Sequence, residues 1–205
     1  MKKKVLMISG CTLLLLTATL ANGAEGPYVS GNLGLAILND SDVKIPGKSL
    51  NVESSSGLAL DGAIGYGLSN YVRLEGEIAY QKNHLDKANL PDFNATGTAS
   101  SLALLFNGYF DVANKSPFTP YIGAGLGLAR VYINDMSIPG SGLQNINSDD
   151  TALAYQLGAG LGCAINETIT LDVRYRYMAT TDLVFGTTTI PYSTHNLYTG
   201  VRINF

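Results

Sequence analysis

From Val29 onward, large apolar residues alternate with small or polar ones, and they do so in eight separate segments. The first sets Val29, Leu33, Leu35 and Ile37 against Ser30, Asn32, Gly34 and Ala36. The second sets Leu58, Leu60, Ile64, Tyr66 and Leu68 against Ala59, Asp61, Ala63, Gly65 and Gly67. The third sets Val72, Leu74, Ile78 and Tyr80 against Arg73, Glu75, Glu77 and Gln81. The same period of two recurs around residues 101–112, 121–129, 153–165, 169–177 and 196–205. A period of two puts alternate side chains on opposite faces of a strand, so the pattern predicts eight strands of about ten residues.

The connections alternate in length. Long ones run over residues 38–57, 83–98, 133–151 and 179–194, and these are expected to be loops. Short ones are Ser69-Asn70-Tyr71, Ala113 to Pro117 and Asn166-Glu167-Thr168. Leu68 and Val72 flank one turn and Ile165 and Ile169 another, so opposed residues keep a common face and the hairpin register is self-consistent.

The two faces differ in bulk. One is large and almost uncharged; the other is Gly, Ala, Ser, Asn and paired charges. Eight strands enclose only enough room for side chains, so the small and charged face suits the inside and the bulky face suits lipid. A soluble barrel would reverse this, with a charged exterior. About ten residues suffice to cross a bilayer when tilted. Only helices and closed barrels satisfy every backbone group in hydrocarbon, and after residue 20 no apolar run approaches helix-spanning length. The fold expected is all-β: an eight-stranded antiparallel up-and-down transmembrane barrel. Short turns on the periplasmic side and long loops outside are the arrangement of such barrels.

The inner face carries a predicted network of Asp61, Glu75, Glu77, Asp111 and Asp172 with Arg73, Arg174, Arg176 and Arg202. Five acids and four arginines nearly balance, as buried charges must. On the outer parity, Tyr66, Phe110, Phe118 and Phe205 fall near the short turns, and Tyr80, Tyr155, Tyr175 and Tyr177 near the long loops. Aromatic girdles at both interfaces are expected of a barrel. Lys82 and Arg130 have lipid-facing parity at the loop end, a position from which they could snorkel or contact lipopolysaccharide phosphates.

Ahead of the strands, Lys2, Lys3 and Lys4 precede an apolar run from Val5 to Leu20 and then Ala21-Asn22-Gly23-Ala24. That order is a secretory signal peptide, expected over residues 1–23, with the barrel domain over 24–205. Ile8-Ser9-Gly10-Cys11 imitates a lipidation box, but cleavage there would leave too short an apolar core. Without the three lysines the net charge falls from −3 to −6, which offers nothing to nucleic acid. Cys163 would be the single remaining cysteine, so no internal disulfide is expected.

Motifs for chemistry are sparse. Gly123, Gly125 and Gly127 lack dinucleotide-loop spacing. The two histidines, His84 and His195, lack metal-site partners at usable spacing. Ser193 lies near His195 without a recognisable hydrolase order. No cofactor and no metal are expected.

Several stretches resemble the small outer-membrane barrel family, OmpA-like and opacity-type, together with surface antigens of intracellular bacteria. They are Gly26-Pro27-Tyr28-Val29-Ser30-Gly31, the run from Tyr71 to Glu77, the run from Pro120 to Gly127, Ala154 to Gly160, Leu171 to Tyr177 and His195-Asn196-Leu197. The resemblance implies residence in the bacterial outer membrane. It also implies that the terminal Phe205, after Leu197, Val201 and Ile203, is read by the barrel-assembly machinery. A chain ending at Phe205 would lack the periplasmic cell-wall domain of longer members. The function expected is non-enzymatic and structural, a surface antigen or adhesin-like protein whose loops meet an extracellular ligand. The alternatives are a small-solute pore of low conductance and a lipid A-modifying membrane enzyme.

Overall fold

A computed structural model describes residues 25–38, 41–45, 48–52, 56–90, 93–138, 143–185, 188–190 and 192–205. The expected signal segment lies outside them. Twelve strands follow one another: β1 (Gly26–Leu38), β2 (Ser41–Ile45), β3 (Lys48–Val52), β4 (Ser56–Gly67), β5 (Val72–Leu90), β6 (Phe93–Asp111), β7 (Phe118–Ile138), β8 (Leu143–Ala164), β9 (Ile169–Thr180), β10 (Leu183–Phe185), β11 (Thr188–Ile190) and β12 (Ser193–Asn204). Eight of them, β1, β4, β5, β6, β7, β8, β9 and β12, pair antiparallel with their neighbours and close when β1 meets β12. The all-β, eight-stranded barrel is the fold the alternation predicts.

Register fixes the barrel's shape. The row from Val72 runs through Phe110, Ile122, Ala159, Tyr175, Leu197, Leu35 and Leu58 and returns to β5 at Lys82, ten residues further on. With a rise of ~3.3 Å per residue and a strand spacing of ~4.8 Å, that stagger tilts the strands by about 40°.

Each short turn is held by a side-chain oxygen. Ser69 Oγ accepts from the Tyr71 amide at 3.2 Å. Asn114 Oδ1 accepts from the Ser116 amide at 2.8 Å, while its Nδ2 donates to the Phe118 carbonyl at 2.9 Å. Asn166 Oδ1 accepts from the Thr168 and Ile169 amides at 2.9 and 2.7 Å. Asn and Ser mimic a backbone acceptor in this way and so favour tight turns.

The long connections are not open loops. β5 and β6 continue as a ladder as far as Leu90 opposite Phe93, and β7 and β8 as far as Ile138 opposite Leu143, with bulges on the way. Residues 83–98 and 133–151 are thus mostly strand, which corrects the expectation. Above the bilayer neither face of a strand needs to be apolar, so the size alternation fades while the pairing persists. Residues 41–52 and 183–190 likewise hold the short hairpins β2–β3 and β10–β11.

The bulky parity faces outward. Leu33, Leu35, Ile64, Ile78, Leu104, Phe106, Ile122, Leu126, Leu128, Leu157, Val173 and Leu197 are all exposed on the outer wall, while Ala59, Ala79, Ala103, Ala129 and Ala154 are buried inside. On β5 the apolar run ends at Tyr80, followed by Lys82; on β7 it ends at Leu128, followed by Arg130. An apolar outer band beneath such cations is what a membrane-spanning barrel presents.

Candidate functional site: the lumen and the hairpin end

All nine charged residues expected inside the barrel lie on its inner parity, toward the short-turn end. Arg73 binds Asp111 in a fork, Nε to Oδ2 at 2.6 Å and Nη2 to Oδ1 at 2.9 Å. Arg174 reaches Asp61 at 2.6 Å and Glu77 at 3.6 Å. Glu77, fully buried, also accepts from Arg176 and from Asn107 Nδ2, the latter at 2.8 Å. Glu77 is therefore the hub of one cluster, and the Arg73–Asp111 pair is a second.

The other three charges are held differently. Among the described residues Glu75 has no arginine within ion-pair distance; it accepts from the Tyr28 and Tyr109 hydroxyls at 3.0 and 3.3 Å. Those hydroxyls in turn accept from Arg73 at 3.3 Å and from Arg174 at 2.7 Å. Glu75 is thus tied to two arginines through tyrosine bridges. Asp172 accepts from the Tyr121 hydroxyl. Arg202 forms no ion pair among the described residues, and its guanidinium lies 5.6 Å from the centre of the Tyr28 ring.

Tyr28, Tyr109, Tyr121 and Tyr198 are what the reading of the charges missed. Each stands directly across from a glycine: Tyr28 from Gly65, Tyr109 from Gly123, Tyr121 from Gly160, Tyr198 from Gly34. The rings lie over those glycines. A Cβ at Gly65 would fall 2.2 Å from the Tyr28 ring, and one at Gly160 would fall 2.3 Å from the Tyr121 ring. The interior glycines are therefore sockets for tyrosine. The signal was available, since all four tyrosines share parity with the small residues.

Toward the hairpin end the lumen changes character. Ala79, Ala103, Leu105, Ala129, Val131, Ala152, Ala154, Met178, Leu183 and Tyr192 form one buried apolar cluster. Tyr192 donates to Ser101 Oγ at 3.1 Å across the mouth. Leu183, from β10, is almost fully buried in this cluster, so the β10–β11 hairpin lies over the barrel's mouth.

The remaining expected positions are on the outside. Phe205 is exposed at the short-turn end, and its amide donates to the Pro27 carbonyl at 3.0 Å, closing the seam. Lys82 is exposed. Arg130 is also exposed, but it binds Asp149 at 2.6 Å and packs against Tyr132. His195 lies on the outer wall, where Tyr175 Oη and His195 Nδ1 are 2.5 Å apart and the rings stack. Cys163 is a free thiol on the lipid-facing parity. Among the described residues no group of three or more His, Cys, Asp or Glu gathers as a metal-ligand set.

A closed barrel with an apolar outer band and an ion-paired interior is the build of an outer-membrane barrel protein. The family model described as outer membrane protein beta-barrel domain matches residues 7–205, and the chain belongs to that family. It is an outer-membrane protein. The chain is 28% identical over 181 residues to outer membrane protein PagN of Salmonella typhimurium, covering 77% of this chain and 76% of PagN. It is 27% identical over 225 residues to a putative adhesin of Rickettsia massiliae, covering 98% of this chain and 99% of the adhesin. Among solved structures it is similar to Neisserial surface protein A, with a TM-score of 0.64 at 22% identity over 88% of this chain and 98% of that one.

Proposed function

We propose that this chain is a non-enzymatic surface-interaction protein, in which the barrel is an anchor and the hairpin end, facing the cell exterior, meets an extracellular ligand. The observation that carries this is the filled lumen. Arg73, Glu75, Glu77, Asn107, Arg174 and Arg176 are all buried within it, and Leu183 and Tyr192 are buried at the other end. A barrel packed in this way is suited to hold hairpins in place rather than to pass solutes. Two of the similar proteins above, one named a putative adhesin and one a surface protein, support the same reading.

The orientation follows the usual asymmetry of outer-membrane barrels, short turns inward and long connections outward. Phe205, beside the seam at the short-turn end, is then placed to serve as the signal for the assembly machinery. Lys82, at the upper limit of the apolar belt, would contact lipopolysaccharide phosphates. Arg130 would do so only in exchange for Asp149.

Three measurements test the reading. On intact cells, protease added outside should cut the β5–β6 or β7–β8 hairpin while leaving the barrel whole; cleavage at the short turns instead would reverse the orientation. In planar bilayers the full chain should give no steady large-channel step; a reproducible open step would favour the pore. Unchanged lipid A in a deletion strain, read by mass spectrometry, is expected and would separate this reading from a lipid A-modifying enzyme.

A further inference from the structure

Just above the apolar belt, the outer wall over β5 to β8 is indented. Two ladders place the cause in β7. Thr98 faces Asn134 while Thr96 faces Ser137, and Ile133 faces Ser148 while Met136 faces Ile146. In both, β7 uses three residues where its neighbour uses two, so it carries a β-bulge. Asp135 sits in that bulge at φ 54°, and its amide donates to Asn147 Oδ1 at 3.0 Å. Aspartate tolerates this left-handed backbone better than most residues, and a bulge re-aims the side chains around it. The result is a polar cleft of about 430 Å³, lined by Tyr80 and Lys82 from β5 and, across the wall, by Asp135 from β7 and Asn147 from β8.

The cleft carries two opposite charges that no neighbour neutralises. Among the described residues neither the Lys82 ammonium nor the Asp135 carboxylate belongs to an ion pair, with each other or with a third group. The nearby cation of the same wall, Arg130, is already held by Asp149 at 2.6 Å. On β6, the strand between the two charges, stand Ser100, buried directly across from Lys82, and Thr98, across from Asn134. Both hydroxyls line the cleft. An unpaired cation and an unpaired anion in one cleft match a zwitterion, each end of which meets its opposite charge. Depth narrows the class. Tyr80 and Leu102 face each other one rung lower, and Leu102, Leu104 and Phe106 carry the same face of β6 down the belt. A zwitterion seated here has an apolar wall directly beneath it. A free amino acid would leave that wall bare, whereas the chains of a lipid cover it.

We infer that this cleft binds the phosphoethanolamine headgroup of a lipid whose acyl chains lie along β6. Lys82 and the Ser100 and Thr98 hydroxyls hold the phosphate, and Asp135 accepts from the primary ammonium, all by charge-assisted hydrogen bonds. A choline headgroup is a poor match, because its quaternary nitrogen has no N–H to donate to Asp135. A glycerol headgroup is also a poor match, because it sets the Asp135 carboxylate against a phosphate with no cation between them. The inference deepens the lipid contact read for Lys82 and rests on it for the placing of Lys82 at headgroup level. Lipopolysaccharide phosphates need only the cation. A zwitterionic headgroup needs Asp135 as well, so the two ligands come apart at Asp135.

The test uses the full chain folded in detergent micelles that hold equal amounts of phosphatidylethanolamine, phosphatidylcholine and phosphatidylglycerol with identical acyl chains. Native mass spectrometry then reads which lipids stay bound. The parent protein should retain phosphatidylethanolamine about tenfold over either of the others, the effect of one charge-assisted contact. Asp135→Asn removes the charge and keeps a residue that tolerates the left-handed backbone. It should leave phosphatidylethanolamine and phosphatidylglycerol retained alike, while the heat-modifiable gel shift persists. Lys82→Ala should bring phosphatidylethanolamine down to the level of phosphatidylcholine. Soluble glycerophosphoethanolamine in excess should not displace the lipid; displacement would reassign the cleft to a free headgroup and overturn the lipid assignment. Equal retention of all three lipids by the parent, or a preference that survives either substitution, would overturn the proposal. If the parent retains phosphatidylethanolamine and phosphatidylglycerol alike, and both over phosphatidylcholine, the proposal falls while the lipopolysaccharide contact of Lys82 stands.

Discussion

The lower and upper halves of the lumen solve the same packing problem with different chemistry. Near the short turns the space is filled by arginines, carboxylates and tyrosines set into glycines; near the hairpins it is filled by Leu105, Val131, Met178, Leu183, small residues and the buried neutral side chains Gln81, Asn83, Thr194 and Asn196. Both are filled by buried side chains. The lower half is directional, because Glu77 satisfies Arg174 and Arg176 only in one strand register. A slip of one residue would turn every charge of the slipped strand into lipid. The upper half is not directional in that sense, and it is there that a separate hairpin, β10–β11, lies against the barrel. The difference is a division of labour in which charges specify the closed wall and uncharged contacts seat the β10–β11 hairpin above it.

That comparison can be broken most sharply at Glu77. Glu77→Ala strands Arg176 without an acid, and removing one member of a buried pair costs about 3–5 kcal/mol. Urea unfolding in lipid vesicles, followed by the heat-modifiable gel shift, should show a loss of that order. A change below about 1 kcal/mol would mean that the lower half is no more specific than the upper. Leu183→Ala should cost about 2–3 kcal/mol, but locally. Hydrogen exchange should speed up in β10–β11 and around Tyr192 while the urea midpoint of the barrel hardly moves. Gly160→Ala drives a Cβ into the Tyr121 ring and should destabilise the whole barrel by about 1–3 kcal/mol. A neutral outcome would show that the tyrosines sit loosely. The smallest effect is expected from Arg130→Ala, whose ion pair with Asp149 is exposed to solvent: no measurable shift in the unfolding midpoint, because exposed pairs contribute little.

The barrel was legible in the sequence because lipid on one side and a narrow lumen on the other impose opposite sizes on alternate residues. Leu104, Phe106 and Phe110 could face nowhere else once Asn107 and Asp111 faced inward. Three features were not legible. The Tyr28–Gly65 and Tyr121–Gly160 sockets depend on which strand lies opposite which, and a single strand's pattern does not contain its register. The partners of Arg174, Asp61 and Glu77, come from different strands far apart in the chain. The continuation of β5 to β8 beyond the membrane left no size alternation, since water tolerates polar residues on both faces of a strand.

The seam between the first and last barrel strands carries a consequence for the order of events in folding. Tyr28 pairs with Asn204, so the closing contact joins residues separated by nearly the whole described chain. Seven strands can zip in sequence, each pairing with the barrel strand before it in the chain. Yet every such intermediate exposes two rows of unpaired backbone groups, and hydrocarbon tolerates neither. Entry into the bilayer must therefore await β12 or proceed beside a helper that covers both rows. The kinetics should reflect one late, non-local step whose rate is set by the encounter of β1 with β12 rather than by any of the turns.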